Sequence, residues 1–492
     1  MSIGLSKSRY CRGVQCPKML WLDRHMPEQA CDLGLEAVMT TGIKVGELAR
    51  DYFGDYSLVE FDTNKTVMAA KTERLINDGA KNIAEASFIH NGLYCAVDIL
   101  HRDGDGFDIV EVKSSTSIRD IYIDDAAFQY YLLTQCGVNV KKVYLMYINN
   151  AYVRHGDLEL DELFKLEDHT DDVIQRAAGV GDKIAEIRTY VDTDVEPERD
   201  IGEYCNVPYA CAYFDYCARH LPQPSIFDVR NLRRNKFDYY RQGIISFEDI
   251  IRSGVQFPAR QMQQIETAYY HKPDVILPDK IRIFLDSLSY PLYHLDFETF
   301  QQAVPEYDGI SPYQQITFQY SLHIEFADGR LEHREFLAKE GTDPRRAIAE
   351  RLCADIPEDV CALAYNASFE KRMLQMLADT FPDLSAHLLA VRDNLHDLMI
   401  PFRDRYYYNE AMQGSYSIKF VLPALCHDDP ELDYNALDGV HDGEEASAAF
   451  ADLPNHTPED ISVIRKNLLN YCRLDTLAMV KVLEKLRECE NS

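Results

Sequence analysis

Two stretches of alternating apolar and polar residues, joined by a glycine-rich turn, constrain the fold of this 492-residue chain most. The stretches run from 93 to 100 and from 107 to 113, and the sequence Asp-Gly-Asp-Gly occupies 103–106. Alternation with a period of two is typical of a strand, and an Asp-Gly turn is typical of a tight hairpin. The pattern therefore predicts an antiparallel hairpin within a sheet.

Charged side chains lie at particular points of this hairpin. Glu111 and Lys113 are two residues apart, so a strand directs both to one face, and Asp98 on the partner strand can converge there. An unpaired carboxylate in an apolar strand is costly, which indicates a metal or a charged partner. Two carboxylates can hold Mg²⁺, and a lysine beside them can orient a water or stabilise charge on a phosphate. The alternative is an ion pair on a surface hairpin.

The order of motifs in this region resembles the PD-(D/E)XK nuclease superfamily, especially the RecB-like branch that includes the CRISPR spacer-acquisition nucleases. The matching positions are Glu47 on a predicted helix, then Asp98, then Glu111-Val112-Lys113, then Gln129. The resemblance implies that Asp98 and Glu111 bind metal, that Lys113 is catalytic and that Gln129 supports substrate or water. It also implies a metal-ligand role for Glu47, where many relatives carry histidine.

The cysteines form a second pattern. Of the 13 cysteines, Cys205, Cys211 and Cys217 are closely spaced in an aromatic segment. We expect a cytoplasmic protein, because the N-terminus lacks the features of a secretory signal, and cytoplasmic cysteines are seldom a disulfide framework. Three thiolates are one short of a four-cysteine site. Cys16 or Cys11 can supply the fourth, and the Cys-Pro-Lys setting favours Cys16.

This layout resembles the iron–sulphur subfamily of RecB-like nucleases, in which one N-terminal cysteine joins three that follow the nuclease core. The resemblance implies a 4Fe-4S cluster that fastens the two ends of the domain together through Cys16, Cys205, Cys211 and Cys217. Zinc is the alternative metal, because a four-cysteine site suits it too. We interpret the remaining cysteines as small buried residues: Cys31, Cys95, Cys136, Cys353, Cys361, Cys426, Cys472 and Cys489.

A further set of carboxylates lies near the C-terminus. A predicted strand carries Asp296 and Glu298 on one face, and a hairpin over 316–337, a helix, a strand over 360–365 and a helix from about 368 follow it. The final predicted helix places Tyr471 and Asp475, four residues apart, on one face. This order suits an RNase H-like mixed sheet.

The same motifs resemble the DnaQ-like 3′-to-5′ exonucleases of the DEDD class. The resemblance implies that Asp296, Glu298 and Asp475 hold two Mg²⁺ or Mn²⁺ ions and that Tyr471 orients the nucleophilic water. Glu370 stands at the position of the fourth acid, where relatives usually carry aspartate, and Asp397 is the alternative acid.

These patterns, with the resemblances they carry, imply an α/β protein with three parts. They are a PD-(D/E)XK restriction-endonuclease-like domain with a four-cysteine metal staple (1–220), a helical connector with some likeness to a helix-hairpin-helix (221–285) and an RNase H-like DEDD exonuclease domain (286–492). The whole resembles a bacterial family in which a RecB-like iron–sulphur nuclease is fused to a DnaQ-like exonuclease.

Charge limits the functions that fit. The chain has 51 Lys plus Arg against 81 Asp plus Glu, a net charge of -30, which argues against coating of nucleic acid by a broad basic surface. Carboxylate metal sites fit this balance. No apolar run approaches the ~18 residues of a membrane span, so we expect no membrane partner.

We therefore expect a metal-dependent nuclease with two active sites that acts on DNA, at single strands or ends. An RNA exonuclease and a DNA-end-binding adaptor with one or both sites degenerate are the alternatives. The resemblance also admits protein partners in DNA repair or phage defence.

Overall fold

A computed structural model describes residues 4–34, 36–232, 235–427 and 429–489. The chain forms two compact units, Met1–Leu221 with Gln302–Tyr313, and Pro222–Gln301 with Gln314–Ser492. Both units combine sheets and helices, so the predicted α/β class is confirmed. The residues of the expected connector cluster with the second unit, and a short segment from within the expected exonuclease domain clusters with the first.

The first unit contains a mixed sheet and surrounding helices. Its strands are β1 (Leu5–Ser6), β2 (Ser57–Leu58), β3 (Asn82–His90), β4 (Leu93–Asp103), β5 (Gly106–Lys113), β6 (Val140–Ile148) and β7 (Phe164–Asp168). Its helices are α1 (Lys7–Gln15), α2 (Pro17–His25), α3 (Glu36–Ala49), α4 (Lys65–Asn77), α5 (Asp120–Gln135), α6 (Leu160–Leu163), α7 (Thr170–Ala177), α8 (Val180–Val191) and α9 (Phe214–Ala218). The strands follow the order β2-β3-β4-β5-β6-β7, and β1 pairs with β4.

The predicted hairpin is confirmed as β4 and β5, which pair antiparallel with Ile99 opposite Val110. Gly104 in the turn has a φ of 58°, a conformation that costs glycine nothing because it lacks a Cβ. Alternation along β5 gives its faces different neighbours: Ile109 joins the main core with α5, whereas Val110 packs with Val45 and Ala49 of α3.

The second unit contains a larger set of helices. Its strands are β8 (Val275–Ile276), β9 (Leu292–Phe300), β10 (Ile316–Glu325), β11 (Leu331–Leu337), β12 (Cys361–Ala364), β13 (Leu395–Asp397) and β14 (Tyr407–Tyr408). Its helices are α10 (Asn235–Arg241), α11 (Phe247–Ser253), α12 (Ala259–Tyr270), α13 (Pro278–Leu285), α14 (Arg345–Asp355), α15 (Ser368–Thr380), α16 (Ser385–Asp393), α17 (Ile400–Arg403), α18 (Ile418–Leu425), α19 (Gly443–Asp452) and α20 (Pro458–Cys489).

The main sheet of this unit has the order β11-β10-β9-β12-β13. Strands β10 and β11 run antiparallel to their neighbours, whereas β9, β12 and β13 run parallel to one another. Leu295 and Phe297 point from β9 into a core formed with α14, α15 and α16. Because side chains alternate along a strand, Asp296 and Glu298 face the other side of the sheet, where α20 packs.

Helix length bears on membrane association. Within the described ranges, no helix combines the length and the apolar character that a membrane span requires.

Candidate functional site

The carboxylates of the second unit converge on the face of the sheet covered by α20. One oxygen each of Asp296 and Glu298 and the Sγ of Cys472 lie within 4.8 Å of one another. In the described part of the chain this is the one group of three or more acid, histidine or cysteine ligands that meets so closely. Asp475, one turn beyond Cys472 on α20, acts electrostatically on both strand acids.

The charges at this site repel one another. Burial, followed by the charges of Asp475 and Glu298, raises the pKa of Asp296 well above its usual range. The pKa of Glu298 is raised well above its usual range by burial and by Asp475 in the same way. Burial raises the pKa of Asp475 to about 6. Carboxylates that crowd together out of water favour either protonation or a bound cation.

A tyrosine that the sequence did not single out holds Asp475. The hydroxyl of Tyr434 donates to Asp475 Oδ1 at 2.6 Å. Tyr471 is buried beside the same carboxylate, and its ring centroid lies 6.2 Å from that of Tyr434. Burial, then the charges of Asp475 and Glu298, raise the pKa of Tyr471, which therefore carries a proton at neutral pH. Two phenols thus flank the acid on α20.

The structure distinguishes the two candidates for the fourth acid. Glu370, on α15, is buried and acts electrostatically on Asp296 and Glu298, and burial raises its pKa to about 8. Its Oε2 is buried with no hydrogen-bond partner in the described chain. Asp397 instead binds the backbone, because its Oδ1 accepts hydrogen bonds from the backbone N–H groups of Asn366 and Met399, each at 3.0 Å. Glu370 is therefore the acid available to a ligand.

Sequence reasoning missed two other groups at this site. Cys472 lies directly against Asp296, with 3.7 Å between Sγ and Oδ2, although we had interpreted it as a packing residue. Lys419, exposed at the start of α18, lowers the pKa of Glu298 and of Asp475 by its charge. The motif around Lys419, Gly-Ser-Tyr-Ser-Ile-Lys at 414–419, was the available signal, but spacing alone does not show which strand it faces.

The charged residues of the first unit form a different arrangement around Glu111, which is 1% exposed. Its Oε1 accepts from Lys113 Nζ at 2.8 Å and from Lys7 Nζ at 2.7 Å. Its Oε2 accepts from Gln129 Nε2 at 2.6 Å, and Lys113 also reaches Asp125 Oδ2 at 2.5 Å. Burial alone would raise the pKa of Glu111, but the charges of Lys113 and Lys7 outweigh it and lower the pKa.

Asp98 joins this group from β4. Its Oδ2 accepts from the backbone N of Val112 at 2.7 Å. Burial, then the charge of Glu111, raises the pKa of Asp98 to about 7. Glu85 adds to this effect from the neighbouring strand β3, where its φ of 58° breaks the regular pairing with β4. The structure thus brings Asp98, Glu111, Lys113 and Gln129 together, and adds Lys7, Asp125 and Glu85.

The structure does not bring Glu47 to this group. The side chain is exposed on α3, a helix that packs through Val45 and Ala49 against Ile99 and Val110. That is the face of the sheet opposite Glu111. The metal-ligand role of Glu47 therefore stays a prediction, and the helix that carries it packs on the other side of the sheet.

The four cysteines assigned to the staple line one small cavity, together with aromatic residues of the same segment. Cys16 comes from the start of α2, and Cys205, Cys211 and Cys217 come from the end of the unit. Cys11, the rival candidate, lies elsewhere, with its Sγ 2.8 Å from Asp125 Oδ1. None of the 13 cysteines, all of which the structure describes, forms a disulfide.

Two cysteines that we had interpreted as buried are exposed. They are Cys31 and Cys136. Cys31 lies in a loop and contacts Asp215, and Cys136 caps the C-terminal end of α5. The interpretation was wrong for both, because loops and helix ends face solvent whatever residue they carry.

Comparison with protein families gives one match. Residues 293–417 match the family described as Domain of unknown function (DUF2779), a segment that includes Asp296, Glu298 and Glu370. Comparison with curated proteins and with solved structures found no match.

Proposed function

We propose that this protein is a metal-dependent nuclease that hydrolyses phosphodiester bonds of DNA at two sites, one in each unit. The observation that carries the proposal is the convergence of two buried acids, Glu298 and Glu370, with two half-buried ones, Asp296 and Asp475, in one group whose pKa values are all raised. Oxygen-rich groups of this kind bind hard divalent cations such as Mg²⁺ or Mn²⁺.

The residues of the second site divide the work of 3′-end trimming. Asp296, Glu298, Glu370 and Asp475 would hold the ions by their carboxylate oxygens. The ions would supply positive charge for the developing phosphate and a nucleophilic water at neutral pH. Tyr471, which stays protonated, would donate a hydrogen bond that orients this water, and Tyr434 keeps Asp475 in place.

The fold of each unit supports an assignment to a nuclease class. We assign the second unit to the RNase H-like exonucleases, because its mixed sheet carries Asp-x-Glu on the central strand β9 and Tyr-x3-Asp on the helix across it. We assign the first to the PD-(D/E)XK nucleases, because a strand hairpin carries Asp98, Glu111 and Lys113 and a following helix carries Gln129.

We propose that the cysteine cavity holds a 4Fe-4S cluster, because its four thiols come from the two ends of the unit, as in the iron–sulphur subfamily that the sequence resembles. Zinc is the alternative metal, because a four-cysteine site suits it too. Elemental analysis of protein purified without air should find iron and sulphide, whereas one equivalent of zinc without iron would contradict this assignment.

The test of the nuclease proposal uses single- and double-stranded DNA and RNA of one sequence, labelled at either end, with Mg²⁺ or Mn²⁺. Asp296→Ala should abolish stepwise loss from the 3′ end, and Lys113→Ala should abolish the remaining cleavage. Lys141→Ala and Asp328→Ala are matched controls, because both remove exposed charges from the same units.

Each outcome distinguishes a function. Cleavage of RNA in preference to DNA would make the protein an RNA exonuclease. Binding of DNA ends without metal-dependent cleavage would make it an adaptor and would reject the proposal. Neither Asp296→Ala nor Lys113→Ala should unfold the protein, because each removes a charged group from a cluster and leaves the apolar cores intact.

A further inference from the structure

A chain of aromatic and cationic side chains leads outward from Lys113 in the first unit. The Nζ of Lys113 lies 4.9 Å from the ring centroid of Tyr122. The guanidinium carbon of Arg119 lies 5.8 Å from the same centroid and 4.9 Å from the ring centroid of Tyr209. Tyr122 is buried, whereas Tyr209 is 49% exposed. Tyr209 is thus the outermost ring of a path that begins at the candidate catalytic lysine.

We propose that Tyr209 and Arg119 form a stacking subsite for an unpaired base of single-stranded nucleic acid that enters the Lys113 site. This inference rests on the proposed nuclease function, and it adds the form of the substrate that the first unit accepts. Tyr209 offers a π-face to the base, and Arg119 offers a charge to the adjoining phosphate.

The backbone that carries Tyr209 is fixed before any ligand arrives. Gln15 Nε2 donates to the carbonyl oxygens of Tyr204 and Tyr209, each at 2.7 Å. Arg119 Nη2 donates to the carbonyl oxygen of Pro208 at 2.8 Å. A half-exposed ring on an anchored loop loses little conformational freedom when a ligand stacks on it, so more of the stacking energy contributes to binding.

The neighbourhood of Tyr209 belongs to the cleavage site. Burial, then the charge of Tyr122, raises the pKa of Tyr209, and Arg119 opposes this effect. The charges of Lys113 and Asp125 also act on the hydroxyl of Tyr209. A base stacked on this ring would therefore lie close to the group that acts on the phosphate.

The overall charge favours such a local subsite. A net charge of -30 argues against holding a nucleic acid by general attraction to its backbone. Base stacking needs no broad basic surface, and it is available to single strands because their bases are not already stacked within a duplex. The subsite therefore favours single strands over blunt duplexes.

The experiment uses the full chain in an Asp296→Ala background, so that trimming by the second unit does not contribute. The substrate is a 20-nucleotide single strand that carries 2-aminopurine at one position at a time. Tyr209→Ala should raise the KM of the Lys113-dependent cleavage by about 10- to 100-fold, as expected from loss of one stacked base, with kcat changed less than about threefold. Tyr209→Phe should retain the wild-type KM, because the ring and not the hydroxyl stacks.

Phe61→Ala is the matched control. Phe61 is 77% exposed in the same unit and also faces a cation, Lys65 Nζ at 4.0 Å, so its loss removes a similar pair away from Lys113. This variant should leave KM unchanged. Fluorescence of 2-aminopurine, measured in Asp296→Ala, Lys113→Ala protein that cannot cleave, should be quenched at one position, and Tyr209→Ala should remove that quenching.

The outcomes separate the inference from the nuclease proposal. If the background protein cleaves single strands and Tyr209→Ala keeps its KM, the subsite is rejected and the nuclease stands. If Tyr209→Phe loses as much as Tyr209→Ala, the ring does not stack and the subsite is again rejected. If the background protein cleaves nothing, the nuclease proposal fails for the first unit. The quenching then decides the subsite alone, and its absence rejects it.

Discussion

The acid at the centre of the first site is surrounded by cations, whereas the acids of the second site face one another. Glu111 accepts hydrogen bonds from Lys7, Lys113 and Gln129, and the two lysines lower its pKa. Asp296 and Glu298 face Asp475, and the pKa values of both are raised. The first site is thus largely neutralised by the chain itself, whereas the acids of the second favour protonation or a cation from outside.

This contrast suggests different demands for metal. A carboxylate that already accepts from two ammonium groups must lose one of those bonds before it can bind a cation fully. A crowded group of carboxylates instead gains stability from the first cation that enters. We therefore expect the second site to bind Mg²⁺ or Mn²⁺ more tightly than the first.

The largest effect should come from Tyr471. Tyr471→Phe keeps the ring and removes the hydroxyl that we propose orients the attacking water, so 3′-end trimming should fall by about 10²-fold or more, within the range for positioned proton-handling groups. The metal concentration for half-maximal rate should change little. Tyr434→Phe is the comparison, because Tyr434 is bonded to Asp475 and should affect metal binding more than rate. Full trimming by Tyr471→Phe would reject the tyrosine-type assignment.

A smaller effect is expected from Lys7. Lys7→Met removes one of the two ammonium groups on Glu111 Oε1 and keeps the length of the side chain. Glu111 is then freer to bind a cation, and the Mg²⁺ concentration for half-maximal cleavage by the first unit should fall by about tenfold, as for loss of one charged hydrogen bond. Lys141→Met, which removes an exposed ion pair with Asp105, is the control. An unchanged Mg²⁺ requirement would show that Lys7 does not compete with metal.

The smallest effect is a dependence of stability on pH. The pKa of Glu370 is raised to about 8 and that of Asp475 to about 6, so between about pH 4 and pH 8 the folded second unit binds more protons than the unfolded chain. Its stability in EDTA should fall as the pH rises through this range. Glu111, whose pKa is lowered, contributes stability of the opposite sign, which is lost as the pH falls.

Hydrogen exchange of peptides from β9 and α20 should report this loss. Glu370→Gln should flatten the slope and raise the melting temperature at pH 8 by about 2–4 °C, the change expected for roughly 1 kcal/mol in a unit of this size. Saturating Mg²⁺ should have the same effect on the wild-type protein. A slope that is unchanged in Glu370→Gln would show that this acid is not the group responsible.

Local patterns predicted much of the secondary structure. The hairpin of β4 and β5 follows from alternation around Asp-Gly-Asp-Gly, and β9, β10 and β11 follow from alternation broken at Asp328-Gly329. These signals are short-range, because strand periodicity and turn chemistry involve only neighbouring residues. The spacing within one element also predicted that Glu111 and Lys113 share a face.

Residues that reach a site from distant parts of the chain could not be predicted in this way. Lys7 is 104 residues from Glu111, and Tyr434 is 41 residues from Asp475. For Glu47 the sequence predicted the helix α3, but it could not predict on which face of the sheet that helix packs, because this depends on tertiary contacts. A single sequence contains no local signal for any of these pairings.

The segment 302–313 lies in the second half of the sequence but belongs to the first unit, and this limits how the gene can be divided. It follows β9 directly, yet Ala303 packs in a core of the first unit, and the hydroxyl of Tyr313 donates to the carbonyl oxygen of Ser114, next to Lys113. A gene fragment that ends at codon 221 would lack this piece of the first unit. We therefore expect that recombination at this codon would not transfer either unit complete, and that the two halves are lost or retained together.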